Sequence, residues 1–213
     1  ILFALPFGIS IAVYMSEVAS PRIRNFLKPV IELLNGIPSV VYGFFGLIVI
    51  VPMLQRVFGL PVGESGLAGS LVLAIMALPT IVTVAEDAMR NCPRTLREAS
   101  LALGASKWQT IYKVVIPSSM SGIASGVVLG IGRAVGETMA VLMVTGNAAV
   151  MPHSILEPLR TIPATIAAEL GEAPAGGAHY QSLFLLGVIL FFITFIINMC
   201  VEFISARNKA KYN

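Results

Sequence analysis

Residues 66–85 read GLAGSLVLAIMALPTIVTVA, a run of twenty without Asp, Glu, Lys or Arg. As a helix rising about 1.5 Å per residue, such a run covers about 30 Å, the hydrocarbon thickness of a bilayer. It ends abruptly in Glu86, Asp87 and Arg90. The pattern recurs along the chain. Ile37–Leu54 and Ser182–Val201 also lack charge, Ser118–Gly146 carries only Arg133 and Glu137, and Ile1–Tyr14 is a shorter apolar opening. Charged residues make up 12% of the chain and hydrophobic ones 56%, against about 25% charged in a soluble domain. These runs predict an all-α, polytopic transmembrane helix bundle, with residues 1–213 forming one membrane domain. The chain opens on Ile1 inside an apolar run, so we expect it to be truncated at its N-terminus.

The remaining charges fix the orientation. Arg22, Arg24 and Lys28 follow the first run. Arg90, Arg94, Arg97, Lys107 and Lys113 follow the third, and Arg207, Lys209 and Lys211 end the chain. The two alternate connections hold only Arg56 and Arg160, so eleven of fourteen basic residues fall on one side. By the positive-inside rule that side is cytoplasmic, and the expected location is the cytoplasmic (inner) membrane. No basic block is interleaved with aromatic residues, which argues against nucleic acid as a partner. Cys92 and Cys200 lack metal-ligand spacing. His153 and His179 read as solvated residues of a polar loop, so neither a metal nor a cofactor is expected. The long connection Asn147–Gln181, with a short helix over Ile162–Leu170, reads either as a mobile loop or as a surface for an external partner.

The connection of residues 90–117 holds the most specific pattern. Thr95 with Glu98, and Ser106 with Gln109, have capping-box spacing. They predict helices over Leu96–Leu103 and Lys107–Val115, with Gly104 in the left-handed conformation between them and Pro117 ending the second. Leu96, Ala99 and Leu103 give the first helix an apolar stripe. Trp108, Ile111, Tyr112 and Val115 do the same for the second. Spacing alone leaves two readings: a hairpin lying on the bilayer surface or one docking into a groove on a soluble partner.

Glu98-Ala99-Ser100, three residues, Gly104, nine residues and Val114-Val115-Ile116-Pro117 resemble the EAA loop of bacterial ABC importer permeases. The departures are Ser100 for Ala, Val114 for Ile and Ile116 for Leu, all close in size. The resemblance implies that Glu98, Ala99, Ser100, Gly104, Ala105 and Ser106 form a coupling element for ATP-binding ABC subunits. No GxxxxGK[ST] occurs here, so the chain has no phosphate-cradling loop of its own. The resemblance places ATP hydrolysis on a separate subunit and implies no enzyme activity in this chain.

The fourth run carries a second signal. Gly122, Gly126 and Gly130 repeat every four residues, a spacing that lets membrane helices approach closely. At 100° per residue from Gly122, Gly130 lies at about 80°, Arg133 at about 20° and Glu137 at about 60°. One continuous helix would thus put an Arg133–Glu137 (i, i+4) pair on the glycine face near mid-membrane. A lone arginine there costs about 2.5–3.5 kcal/mol. The pair reads either as a lock between helices or as a cationic station on an anion path.

Gly132-Arg133-Ala134-Val135-Gly136-Glu137-Thr138-Met139-Ala140-Val141-Leu142 is similar to the membrane segment of phosphate importer permeases. So is Gly36-Ile37-Pro38-Ser39-Val40-Val41-Tyr42-Gly43. The match to the PstC type is better than to the PstA type. This resemblance implies the type I (MetI-like) importer permease fold and a translocation path at Arg133, Glu137 and Thr138. It also implies a second homologous permease and an extracytoplasmic phosphate-binding protein as partners. Two other functions stay open: import of another oxyanion (sulfate, molybdate, phosphonate), or a membrane scaffold or sensor that docks a soluble partner.

The charge asymmetry gives a direct test. Single cysteines at Ser106 and Ser154 are treated with an impermeant thiol reagent in intact cells, or in spheroplasts where an outer membrane is present. Ser154→Cys labels and Ser106→Cys does not; the reverse pattern overturns the orientation.

Overall fold

The computed structural model describes residues 1–212, with side chains described through residue 203. Every element among them is helical, and no strand forms. Three helices are long and apolar enough to span a bilayer: Ser39–Phe58, Gly66–Arg90 and Ala178–Phe203. A fourth span forms if the pair Lys107–Ser118 and Met120–Gly136, bent by 68°, counts as one. The side chains of Arg207, Lys209 and Lys211 lie outside the described residues. The chain divides into two compact units, one of residues 1–36, 77–131 and 197 onward, the other of residues 37–76 and 132–196.

In the first unit, α1 (Ala4–Val13) loosens into a wide π turn over Tyr14–Val18. Its buried Ala12 and Met15 join Val82, Ala85, Met89, Cys92, Val115 and Ile123 in one apolar core. The helix α2 (Pro21–Gly36) lays Leu27 and Ile31 on that core. The second half of α5 (Gly66–Arg90) runs through it. The helix α9 (Met120–Gly136) packs on α5 through its glycines. A Cβ on Gly122 would collide with the Ala88 Cβ, one on Gly126 would sit 3.1 Å from Val84, and one on Gly130 2.7 Å from Ile81. Lipid tails are as apolar as the side chains, so close van der Waals contact, not hydrophobic exclusion, holds such helices together.

In the second unit, α3 (Ser39–Phe45), a π turn over Gly46–Ile50 and α4 (Val51–Phe58) form one span. It packs on the first half of α5 and on α10 (Met139–Val144) through Tyr42, Ile50, Val51, Leu54, Val72 and Val144. Gly43 and Gly46 allow this: a Cβ on the first would meet the Ala140 Cα at 2.8 Å, and on the second Val72 at 2.6 Å. The connection to α11 (Ile162–Glu169) is pinned by backbone bonds. Gly66 donates to Glu157 O, Leu67 to Ile155 O and Leu159 to Thr145 O. It is therefore a folded cover on these helix ends. The helix α12 (Ala178–Tyr212) meets α11 where Glu169 pairs with Arg160 and lies 3.2 Å from His179, whose side chain stays exposed.

The single span expected over Ser118–Gly146 is broken twice. Ser119 interrupts the helix at the 68° bend. The helix then stops at Gly136 and restarts at Met139. Just past the break, the Glu137 carboxylate accepts the Ala140 N–H at 3.1 Å, one of the donors that the first turn of α10 leaves unpaired.

Close packing at Gly122 sets the expected effect of crowding it. Gly122→Val forces α5 and α9 apart, at a cost of about 1–3 kcal/mol. Gly132, where an added Cβ would meet nothing within 4 Å, tolerates Ala. Thermal aggregation midpoints in detergent show this as a drop for Gly122→Val and no change for Gly132→Ala.

Candidate functional site

The connection after α5 folds as α6 (Arg94–Ala102), a glycine hinge and α7 (Lys107–Thr110), which continues as a π turn over Ile111–Val115 and α8 (Ile116–Ser118). Pro117 lies inside this last turn, so the helix runs past it to Ser118. Gly104 sits at φ +82° with nothing within 4 Å of an added Cβ. Glycine is needed there for its backbone conformation alone. Ser106 forms a complete capping box: its N–H donates to Gln109 Oε1 at 2.8 Å, and Gln109 N–H donates to its Oγ at 3.3 Å. Thr95 does not act as a cap. Pro93 occupies the capping position and the helix begins at Arg94, which leaves Thr95 two residues past the cap.

The loop's two apolar stripes part company. Ile111 and Val115 are buried, whereas Trp108 and Tyr112 are 66% and 74% exposed. Leu101 on α6 and Leu103, just past its end, are exposed as well. Of the residues expected to couple, Glu98, Ala99, Gly104 and Ser106 are exposed, and Ser100 and Ala105 half-buried. Ser100 also shares a 2.9 Å hydroxyl hydrogen bond with Thr110, which joins α6 to α7.

The loop is anchored by charges that spacing along the sequence does not single out. Arg97 pairs with Glu17 at 2.8 Å and donates to the Met89 carbonyl at 2.7 Å. One guanidinium thereby ties α6 to the turn after α1 and to the end of α5. Beside it, Lys28 of α2 meets Glu86 at 2.8 Å and Asp87 at 2.6 Å, and Arg90 lies 3.6 Å from Glu86. Glu86 is 1% exposed, so its charge needs these cations. Burial alone would lower the Lys28 pKa, but hydrogen bonds to Asp87 and Glu86, and their charges, hold it above the usual lysine value. A raised lysine pKa stabilises the fold throughout neutral pH, an effect lost only as alkaline pH passes the folded value. The available signal was position: each of these residues directly follows an apolar run or faces one.

In the second unit, Arg133 lies in the last turn of α9, where the helix carbonyl ends favour a cation. Tyr42, a residue only 7% exposed, belongs to the same compact unit. Thr138 donates to the Gly136 carbonyl at 3.3 Å. Glu137 lies beyond the helix that carries Arg133, so the (i, i+4) relation argued from one continuous helix does not hold. Glu137 bonds the start of α10 through the Ala140 N–H. Tyr42 sits in the Gly36–Gly43 motif.

Residues 4–210 match the family described as binding-protein-dependent transport system inner membrane component. The chain belongs to this family. It is 43% identical over 208 residues to the probable ABC transporter permease protein YqgH of Bacillus subtilis, covering 98% of this chain and 67% of that one. It is 39% identical over 230 residues to the phosphate transport system permease protein PstC of Mesorhizobium japonicum, covering 99% and 70%. The inward-facing MetNI methionine ABC transporter superposes with a TM-score of 0.74 at 18% identity, covering 97% and 88% of the two chains, which shows the fold. As a family member the chain is an integral membrane permease of the ABC importer type.

The Arg97 anchor makes a testable claim about this permease loop. Arg97→Leu removes charge-assisted hydrogen bonds worth about 1.5–3 kcal/mol each and frees α6 from the spans. In inside-out vesicles, trypsin then cleaves at Arg94, Lys107 or Lys113 about ten-fold faster or more, since about 1.4 kcal/mol of lost local stability is a factor of ten. Unchanged cleavage rules out the anchor.

Proposed function

We propose that this chain is the permease subunit of an ATP-driven importer that carries inorganic phosphate across the cytoplasmic membrane. The observation that carries the reading is Arg133, a fixed cation in the last turn of the apolar helix α9. The PstC relatives, named for phosphate transport and alike over nearly the whole chain, support the substrate.

The chemistry fits an anion. Phosphate gives up hydration when it enters a narrow path, and a guanidinium replaces part of it with charge and a fork of donors. Arg133 supplies these, and Thr138 adds a hydroxyl at the helix break. Glu137 shapes the path indirectly, through its bond to the start of α10. The loop from Arg94 to Val115 faces the cytoplasm in this reading. Its exposed Leu101, Leu103, Trp108 and Tyr112 enter a groove on a separate ATPase subunit, with Glu98, Ala99, Ser100, Gly104, Ala105 and Ser106 setting its shape. A second homologous permease completes the path, and an external binding protein delivers phosphate. This chain carries out no covalent chemistry.

The test is phosphate uptake per assembled complex, in cells lacking other phosphate importers. Arg133→Gln keeps assembly near normal and cuts uptake by about ten-fold or more, as expected for a pathway charge. Glu137→Gln retains a carbonyl oxygen for the Ala140 N–H and keeps most uptake. Glu137→Ala loses a cap worth about 1 kcal/mol and lowers both assembly and uptake. Normal uptake by Arg133→Gln contradicts the pathway role.

A further inference from the structure

We propose that the pocket between the end of α5 and the start of α9 binds a phosphate group that reaches it from the basic side of the membrane. The pocket stands on its own geometry, apart from Arg133. That free phosphate is its occupant rests on the reading of the chain as a phosphate importer.

The pocket opens where the two helices part. At Gly122 they touch, since an added Cβ would lie 2.4 Å from the Ala88 Cβ. Short of that contact the chain breaks at Ser119, at the 68° bend, and α9 begins at Met120. Opposite, α5 ends at Arg90 and the chain turns through Asn91, Cys92 and Pro93. The space between holds about 260 Å³. Drug-sized ligands fill about 300–1,000 Å³, so this pocket suits a small ion. Its polar lining is Asn91, Cys92, Ser118, Ser119 and Ser121, with no carboxylate to repel an anion.

Donors are open in this lining. Ser119 is 5% exposed, and its Oγ makes no hydrogen bond among the described residues. A buried hydroxyl without a partner is costly. The Ser119 backbone does not need that hydroxyl: its N–H reaches the Val115 and Ile116 carbonyls, and its own carbonyl takes the Ile123 N–H. The side chains of Asn91 and Ser121 also make no hydrogen bond among the described residues. Ser118 is different, because its one proton goes to Val115 O at 2.9 Å or Cys92 Sγ at 3.1 Å.

The start of α9 supplies the positive field. Ile123 N–H makes the first bond of the helix, to Ser119 O at 3.0 Å. The N–H groups of Met120, Ser121 and Gly122 are left without a partner inside α9. A helix start carries about half a positive charge, and α9 runs for 17 residues. Helix N–H groups beside free hydroxyls and an amide are the donor set that holds a phosphate oxygen without a lysine or arginine. An ion held there bonds the end of α5 to the start of α9 across the bend that follows the loop.

Cys92 lines the pocket and reports on it. The assembled importer, carrying Cys200→Ala, is purified in a maltoside detergent and treated with methyl methanethiosulfonate, which reacts with a thiolate. Mass spectrometry follows the Cys92 peptide. Inorganic phosphate at ten times its Kd slows the reaction about ten-fold, and chloride at equal ionic strength does not. Ser119→Ala and Ser121→Ala each raise the phosphate required by about three- to ten-fold, the loss of one hydrogen bond. Protection by phosphatidylglycerol and not by free phosphate keeps the site, assigns it to a lipid headgroup and overturns free phosphate as the occupant. Equilibrium dialysis of radiolabelled phosphate reads the same site if the thiol reacts too slowly to follow. The parent complex then retains more phosphate than the Ser119→Ala, Ser121→Ala double variant. Equal retention, or a reaction that neither phosphate nor the lipid slows, overturns the site. Protection of Cys92 requires no transport, so failure of the Arg133 path leaves this result standing.

Discussion

Hydrocarbon offers no hydrogen bonds, and this constraint governs every part of the molecule. Backbone groups at membrane depth must be satisfied within helices, and polar side chains must find partners inside the protein. The helix α5 meets the constraint with three distinct faces in its basic half. Ile81, Val84 and Ala88 take the glycines of α9. Val82, Ala85 and Met89 enter the apolar core. Thr80, Glu86 and Asp87 turn to Asn35 and Lys28 of α2. The buried Glu86 shows the cost of failing: without Lys28 and Arg90 it would be an uncompensated charge in a low-dielectric interior, a loss of several kcal/mol.

The same half of α5 leads into the loop proposed to dock an ATPase. Arg97 reaches back from α6 to Glu17 and to the Met89 carbonyl, while Ile111 and Val115 are buried. A push on the exposed face of Trp108 and Tyr112 therefore acts on elements already bonded to spanning helices. Gly104 and the Ser106 capping box shape the turn between the two short helices without touching the core. An ATP-driven subunit needs this combination: an outward apolar face, a defined turn and a stiff connection to the membrane.

Much of this was legible in the residues. Charge-free runs of about 20 residues marked the spans, and the one at 66–85 maps onto α5 with only its charged end added. Gly104 and Ser106 announced their conformations because each acts locally, through backbone freedom or a bond three residues away. Tertiary choices were harder to see. Thr95 has the right spacing for a cap, yet Pro93 starts the helix first. Glu137 has the right spacing to share a helix face with Arg133, yet the helix stops at Gly136 and Glu137 bonds the Ala140 N–H beyond it. The first argument placed a helix start two residues too late, and the second assumed a continuous helix that stops at Gly136. The α2–α5 contacts were hidden for another reason: Lys28 and Glu86 are 58 residues apart, and no local period connects them.

The central claim is that this permease moves phosphate under the drive of a separate ATPase. The most direct measurement reconstitutes the chain in liposomes with its partner permease, the ATPase and the external binding protein. ATP hydrolysis and solute accumulation are followed together as the binding protein is loaded with phosphate, sulfate or molybdate. The account predicts that only the phosphate-loaded protein stimulates hydrolysis and drives phosphate into the compartment. Stimulation and accumulation with another oxyanion, or hydrolysis indifferent to loading, would contradict it.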